Sequence, residues 1–191
     1  MKKIDLFPTT IYTDHIVSYE TLAKAKNLAR EMQQQNGYYN TASIRLGWQS
    51  SKDIYVQPVF AVLAENVLRY VKTNITNHMV FISSMWVNVH EKHGFNHVHV
   101  HRQAWLSGVI YLDCNEQSGK LRFCDPRPAA DYADPITESI YEYQPVIGDM
   151  FLFPGYLPHL VEPNLSDEPR ISVSFNIELV QNCVSVPNNL R

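Results

Sequence analysis

The 191-residue chain is 45% apolar and 12% aromatic, enough for one sizeable core, and it reads as a single domain over residues 1–191. A formal net charge of −3 gives no overall attraction to phosphate, which excludes sequence-independent nucleic-acid binding as a first reading. No apolar run approaches the roughly 20 residues of a membrane span, and the opening MKKIDLFPTT lacks the apolar stretch of a secretory signal. The chain therefore reads as soluble and cytoplasmic, with self-association left open. Cys114, Cys124 and Cys183, odd in number and without a CxxC pair, fit reduced thiols.

Between Tyr19 and Gln35, Leu22, Ala25, Leu28, Ala29 and Met32 keep a three-to-four spacing, which predicts a helix with Ser18 as N-cap and Gly37 as stop. A polar, irregular stretch follows from Tyr38 to Lys52. Pro58 suits a first helical position, and Phe60, Leu63, Val67, Leu68 and Val71 form the stripe of a second helix running to about Ile75. After Met79 the texture changes to short apolar or alternating runs: MVFISSMWVNVH, WLSGVIYLDC, GKLRFCD, ESIYEYQPV, GDMFLFPG and RISVSFNIELV. The fold class read from this pattern is mainly β with flanking helices (α+β), a sandwich or barrel with both helices packed on one sheet. Asp125 to Glu138 carries three prolines and no periodicity, and is long enough for a lid or substrate-facing loop.

Within FNHVHVHRQAWLSG, His97, His99 and His101 occupy alternate positions, and a strand would turn all three to one face. Two imidazoles two residues apart can share a metal, with a third ligand from elsewhere. His159 in FLFPGYLPHLVEP is the best candidate, because it follows a strongly apolar strand. An HxH pair plus a remote histidine fixes three neighbouring coordination positions and leaves the others open. His90 and His93, in VNVHEKHGF, read as solvated loop residues. In RISVSFNIEL, Arg170, Ser172, Ser174 and Asn176 share one face. Turned inward, Arg170 becomes a buried guanidinium needing an anion, with Ser172 beside it; a dicarboxylate such as 2-oxoglutarate would satisfy both the metal and the guanidinium.

In this order, LFPTTIY, WVNVHEKHGFNHVHVHRQAWLSGVIYL, GKLRFCDPRP, PVIGDMFLFPGYLPHLVEPN and RISVSFNIEL resemble the 2-oxoglutarate/Fe(II)-dependent oxygenases of the phage and bacterial type. The resemblance spans nearly the whole chain and implies a double-stranded β-helix (jelly-roll, cupin-like) core. It places the metal pair on His99 and His101, the distal ligand on His159 and the co-substrate arginine on Arg170, and leaves His97 as the alternative ligand. Across the wider superfamily the second motif position is usually Asp; here it is His101, so either the dianionic co-substrate supplies the charge balance that a carboxylate ligand would give, or the metal is not iron.

The implied cofactors are Fe(II) and 2-oxoglutarate, with ascorbate as a reductant. The implied partners are O2 and a prime substrate, either a peptidyl residue or a small metabolite. The reaction is a dioxygenase hydroxylation that releases succinate and CO2. Tyr111 and Asn88 are further co-substrate candidates, and Arg127 a weak substrate candidate. The alternative reading of the histidines is a zinc-dependent hydrolase or lyase, in which the open position holds activated water. It leaves Arg170 without a role.

Overall fold

The computed structural model describes residues 2, 7–36, 43–127 and 139–180. The Gly37 helix stop, Cys183 and the Asp125–Glu138 loop beyond Arg127 lie outside these residues. The elements in chain order are β1 (Tyr12–Asp14), α1 (Tyr19–Asn36), β2 (Ile44–Gln49), a 3-10 turn (Ile54–Val56), α2 (Pro58–Asn74), β3 (Val80–His99), β4 (Leu106–Asp113), β5 (Leu121–Cys124), β6 (Ile140–Tyr143), β7 (Met150–Pro154), β8 (His159–Val161) and β9 (Arg170–Leu179).

Both predicted helices form. At the start of α1, Thr21 N–H donates to Ser18 Oγ at 3.3 Å, and Leu22 N–H to the Ser18 carbonyl at 3.0 Å. Pro58 opens α2, where its missing N–H removes no helical bond. Neither helix is long and apolar enough to cross a membrane.

The strands build one curled antiparallel sheet in the order β1-β7-β4-β9-β3-β8-β5-β6, with β2 on the other side of β3. Strand β3 joins its two halves: residues 80–90 pair with β9, and Asn96 and His99 pair with β8. Alternation then sorts two cores. On β9, Ile171, Val173, Phe175 and Ile177 face Leu22, Ala25, Phe60, Leu63 and Val67 of the helices. Inside the curl, Val109, Tyr111, Leu121, Phe123, Phe151, Phe153 and Leu157 pack together. The polar face of β9 points into that curl. Gly108 sits where β4 passes β7 and β9, and an added Cβ would come within 2.6 Å of the Phe151 carbonyl oxygen.

Strand β2 falls in the stretch read from sequence as irregular. Its alternation is broken at Leu46, which takes φ +49° at a register shift between Arg45 and Gly47 and leaves its side chain half exposed. The period-2 signal fails there although Ile44 and Trp48 are both buried.

The loop from β8 to β9 is clipped to β3 by Asn164, which has no exposed surface. Its amide donates to the His90 and Glu168 carbonyls at 3.1 and 2.8 Å, and its Oδ1 accepts from Ser166 N–H at 3.1 Å. We expect Asn164→Ala to lower the unfolding free energy by about 3 kcal/mol, since three buried hydrogen bonds lose a partner. Urea unfolding measures this directly.

Candidate metal centre and co-substrate cavity

His99 and His159 are directly opposed across β3 and β8, with ring centroids 4.3 Å apart. His101 follows one turn-in past the end of β3. Its backbone N–H donates to the Gly155 carbonyl at 2.8 Å, which sets its ring 5.2 Å from that of His159, nearly parallel. Gly155 permits this approach, because a Cβ there would lie 2.7 Å from the His101 carbonyl oxygen. One nitrogen from each of the three imidazoles falls within 4.8 Å of the others.

The tautomers are fixed by the backbone. The ring nitrogen Nδ1 of His99 lies 2.7 Å from the His97 carbonyl, and Nδ1 of His159 lies 2.9 Å from the Leu157 carbonyl. A carbonyl only accepts, so each Nδ1 carries the proton and each Nε2 keeps its lone pair for a ligand bond. Burial, the largest cause in each case, holds all three rings neutral: His159 titrates at about 3, His101 at about 4, and His99 below its ordinary value. Three neutral imidazoles, two of them with Nε2 fixed as the free donor, suit a divalent metal.

His97 does not join them. Its ring is exposed and meets Phe95 edge-on, with centroids 4.8 Å apart. The reason is a bulge: the four residues of β3 from Asn96 to His99 oppose only three of β8, His159 to Val161. Trp86, Asn88, His90 and Asn96 line the cavity ahead of this bulge, and beyond it His99 points inward while His97 is exposed. The equal spacing of the three histidines therefore does not put them on one face.

The same cavity, about 350 Å³, is lined by Arg170, Ser172, Tyr111 and Asn88 together with the three histidines. Ser172 is centred between Asn88 on β3 and Tyr111 on β4, its register partners, and Arg170 lies one rung on, opposite His90. Arg170 is wholly buried. Its Nη1 donates to the Ser118 and Glu162 carbonyls, while Nη2 has no partner. Desolvation lowers this guanidinium to about 10, so it stays charged at neutral pH. A buried cation with an unused donor, aimed into a cavity with no Asp or Glu on its wall, is a site for an incoming carboxylate.

Asn88 is already engaged: its Oδ1 accepts from Gln49 at 3.0 Å and its Nδ2 donates to Ser174 Oγ at 2.9 Å. Arg127 is outside this cavity. It pairs with Asp125 on the wall of a second, aromatic-lined cavity, among Tyr141, Tyr143 and Tyr156.

His90 corrects its reading as a solvated residue, being 2% exposed. Because Asn96 Nδ2 donates to Ser43 Oγ, Asn96 Oδ1 faces His90 and accepts its Nε2–H at 2.6 Å; His90 Nδ1 is buried and unpartnered. Burial, then the nearby Arg170 charge, keeps this ring neutral. The signal was present in the sequence, since Trp86, Asn88 and His90 continue one alternation. His93, by contrast, is exposed at φ +67°.

Residues 84–176, which hold all three imidazoles and Arg170, match the family model described as "Putative 2OG-Fe(II) oxygenase". No characterised protein of curated function matches the sequence itself. Among solved structures, the fold is similar to HygX from Streptomyces hygroscopicus, crystallised with nickel, 2-oxoglutarate and hygromycin B, at TM-score 0.69 and 12% identity, covering 90% of this chain and 84% of that one. It is also similar to SnoN, a non-heme α-ketoglutarate-dependent epimerase of nogalamycin biosynthesis, at TM-score 0.71 and 13% identity over 88% and 77% of the two chains. A Pseudomonas putida prolyl-4-hydroxylase gives 0.61 and 16% over 87% and 91%. These likenesses show the double-stranded β-helix fold, and residues 84–176, the part of the curled sheet that carries the cavity, match the family of 2-oxoglutarate/Fe(II)-dependent oxygenases.

Proposed function

We propose that the protein is an Fe(II)- and 2-oxoglutarate-dependent dioxygenase that hydroxylates its prime substrate with release of succinate and CO2. In this reading residues 1–191 act as one catalytic domain, His99, His101 and His159 hold the metal, and Arg170 holds the distal carboxylate of the co-substrate. Ser172 and Tyr111 flank that carboxylate on the neighbouring strands. The single observation that carries the reading is the unpartnered Nη2 of a wholly buried arginine in the same cavity as three converging imidazoles. When bound, the metal and co-substrate together supply O2 activation and the oxidising power.

The chain's own residues do the rest. Backbone carbonyls lock two imidazoles in the ligating tautomer, and three ligands on one side leave the opposite positions open. The aromatic wall of Phe123 and Phe153, both against His159, keeps water from the reacting face. These three structural neighbours differ in activity or ligand, so the shared fold does not define the prime substrate.

The zinc alternative is disfavoured by Arg170. A water-activating site has no use for a buried guanidinium with a spare donor, and that donor otherwise only destabilises the fold. The deciding assay is succinate release from 2-oxoglutarate with Fe(II) and ascorbate. We expect slow turnover even without prime substrate, lost when Fe(II) is replaced by Zn(II). No succinate above the metal-free blank would overturn the oxygenase reading.

A further inference from the structure

Among the described residues, the walls of the metal cavity hold two cations, Arg170 and Lys52, and no carboxylate. A dianionic co-substrate cancels a divalent metal, so the two side-chain charges remain without counter-charge, and a co-substrate carboxylate held at Arg170 leaves Lys52 the cation without a partner. Arg170 lies at the closed end. Lys52 lies at the open end, on an exposed residue whose backbone is fixed: Met85 N–H donates to the Lys52 carbonyl at 2.8 Å, and the adjoining Asp53 bridges to Met85.

The Lys52 ammonium is held over the indole of Trp86, with Nζ 5.6 Å from the ring centroid. That indole is itself 5.8 Å from the His101 ring. Among the described residues no Asp or Glu forms an ion pair with Lys52. The other lysines with ion pairs, Lys24, Lys26, Lys92 and Lys120, each have a carboxylate at 3.3 Å or less. A cation parked on an aromatic face, one indole's width from a metal-ligating position and without a counter-ion, is placed to receive an acid.

We infer that the prime substrate is anionic and that its acidic group binds Lys52 against Trp86, which sets the rest of the molecule beside the metal. This rests on the oxygenase reading for its chemistry, but not for its test. Lys52 is a substrate-specificity residue; it takes no part in holding the metal or 2-oxoglutarate.

The test follows the Trp86 indole N–H by NMR, assigned with Trp86→Phe, in protein loaded with Zn(II) and 2-oxoglutarate. The probes are N-acetylalanine and its neutral amide. The acid should shift the indole signal saturably and the amide should not. Lys52→Met should weaken the acid by about tenfold or more, the loss expected of one charge-assisted contact, while Lys52→Arg retains it. Equal shifts from acid and amide, no shift from either, or an acid affinity unchanged in Lys52→Met overturns the inference. 2-Oxoglutarate affinity is measured on the same samples. If it is absent while the Lys52-dependent shift persists, the oxygenase reading fails and the anion site stands.

Discussion

His159→Ala should weaken metal binding by more than a hundredfold, whereas His97→Ala should change it by less than about threefold. Outer partners of metal ligands alone are typically worth 10–100-fold in affinity, so removing a ligand exceeds that range. His97 contributes its carbonyl, not its ring: the carbonyl accepts the His99 Nδ1 proton at 2.7 Å and survives truncation of the side chain. His159 also packs on Phe123 and Phe153, so His159→Asn, which keeps part of the side-chain volume, checks that lost binding is not lost folding. Far-UV circular dichroism on both variants completes that control.

The same site predicts an unusual pH profile. A metal competes with protons only below the pKa of its ligands. Desolvation holds His159 at about 3 and His101 at about 4, where a solvated imidazole titrates near 6.5. With His99 also lowered by burial, metal affinity should therefore begin to fall only at a lower pH than it would for a site of solvated imidazoles, measured from pH 8 down to pH 4. Calorimetric titration of the metal across that range reads both effects. A profile breaking near pH 6.5, or a His97 variant that loses the metal while His159→Asn keeps it, would move the ligand set.

Arg170→Met should raise the Kd for 2-oxoglutarate by about a hundredfold or more, with metal affinity unchanged. Truncating one partner of a buried, hydrogen-bonded charge pair typically costs about 2–5 kcal/mol, and Arg170 is the cation at the closed end of the cavity. Arg170→Met also removes the Nη1 donor of the Ser118 and Glu162 carbonyls, so its melting temperature without co-substrate is compared separately from its response to the co-substrate. The wild type should gain Tm as 2-oxoglutarate is added, as any ligand of the native state requires, and Arg170→Met should show no such gain. A Tm response equal to that of the wild type would show that the diacid binds elsewhere.

Both predictions rest on features of unequal legibility. The apolar stripes of α1 and α2 and the alternation of β9 follow from side-chain periodicity, and there residue order alone was sufficient: Ile171, Val173, Phe175 and Ile177 meet the helices while Arg170 and Ser172 meet the cavity. Motif order singles out His99, His101 and His159 as the proposed ligands, and their imidazoles converge in the structure. Strand β2 and the burial of His90 were not taken from the sequence, because the backbone departs from regular strand geometry at Leu46 and beyond His90.

What the sequence by itself determined is which face of each regular element is apolar, and so which side chains must share an interior. What only the tertiary structure decided is the phase of β3 after its bulge, which turned His97 to solvent and His99 to the metal cavity, and the seating of Lys52 on Trp86. A bulge is a mismatch between two paired strands, and an ammonium finds an indole only when separate segments are brought together; neither is a property of one stretch of chain.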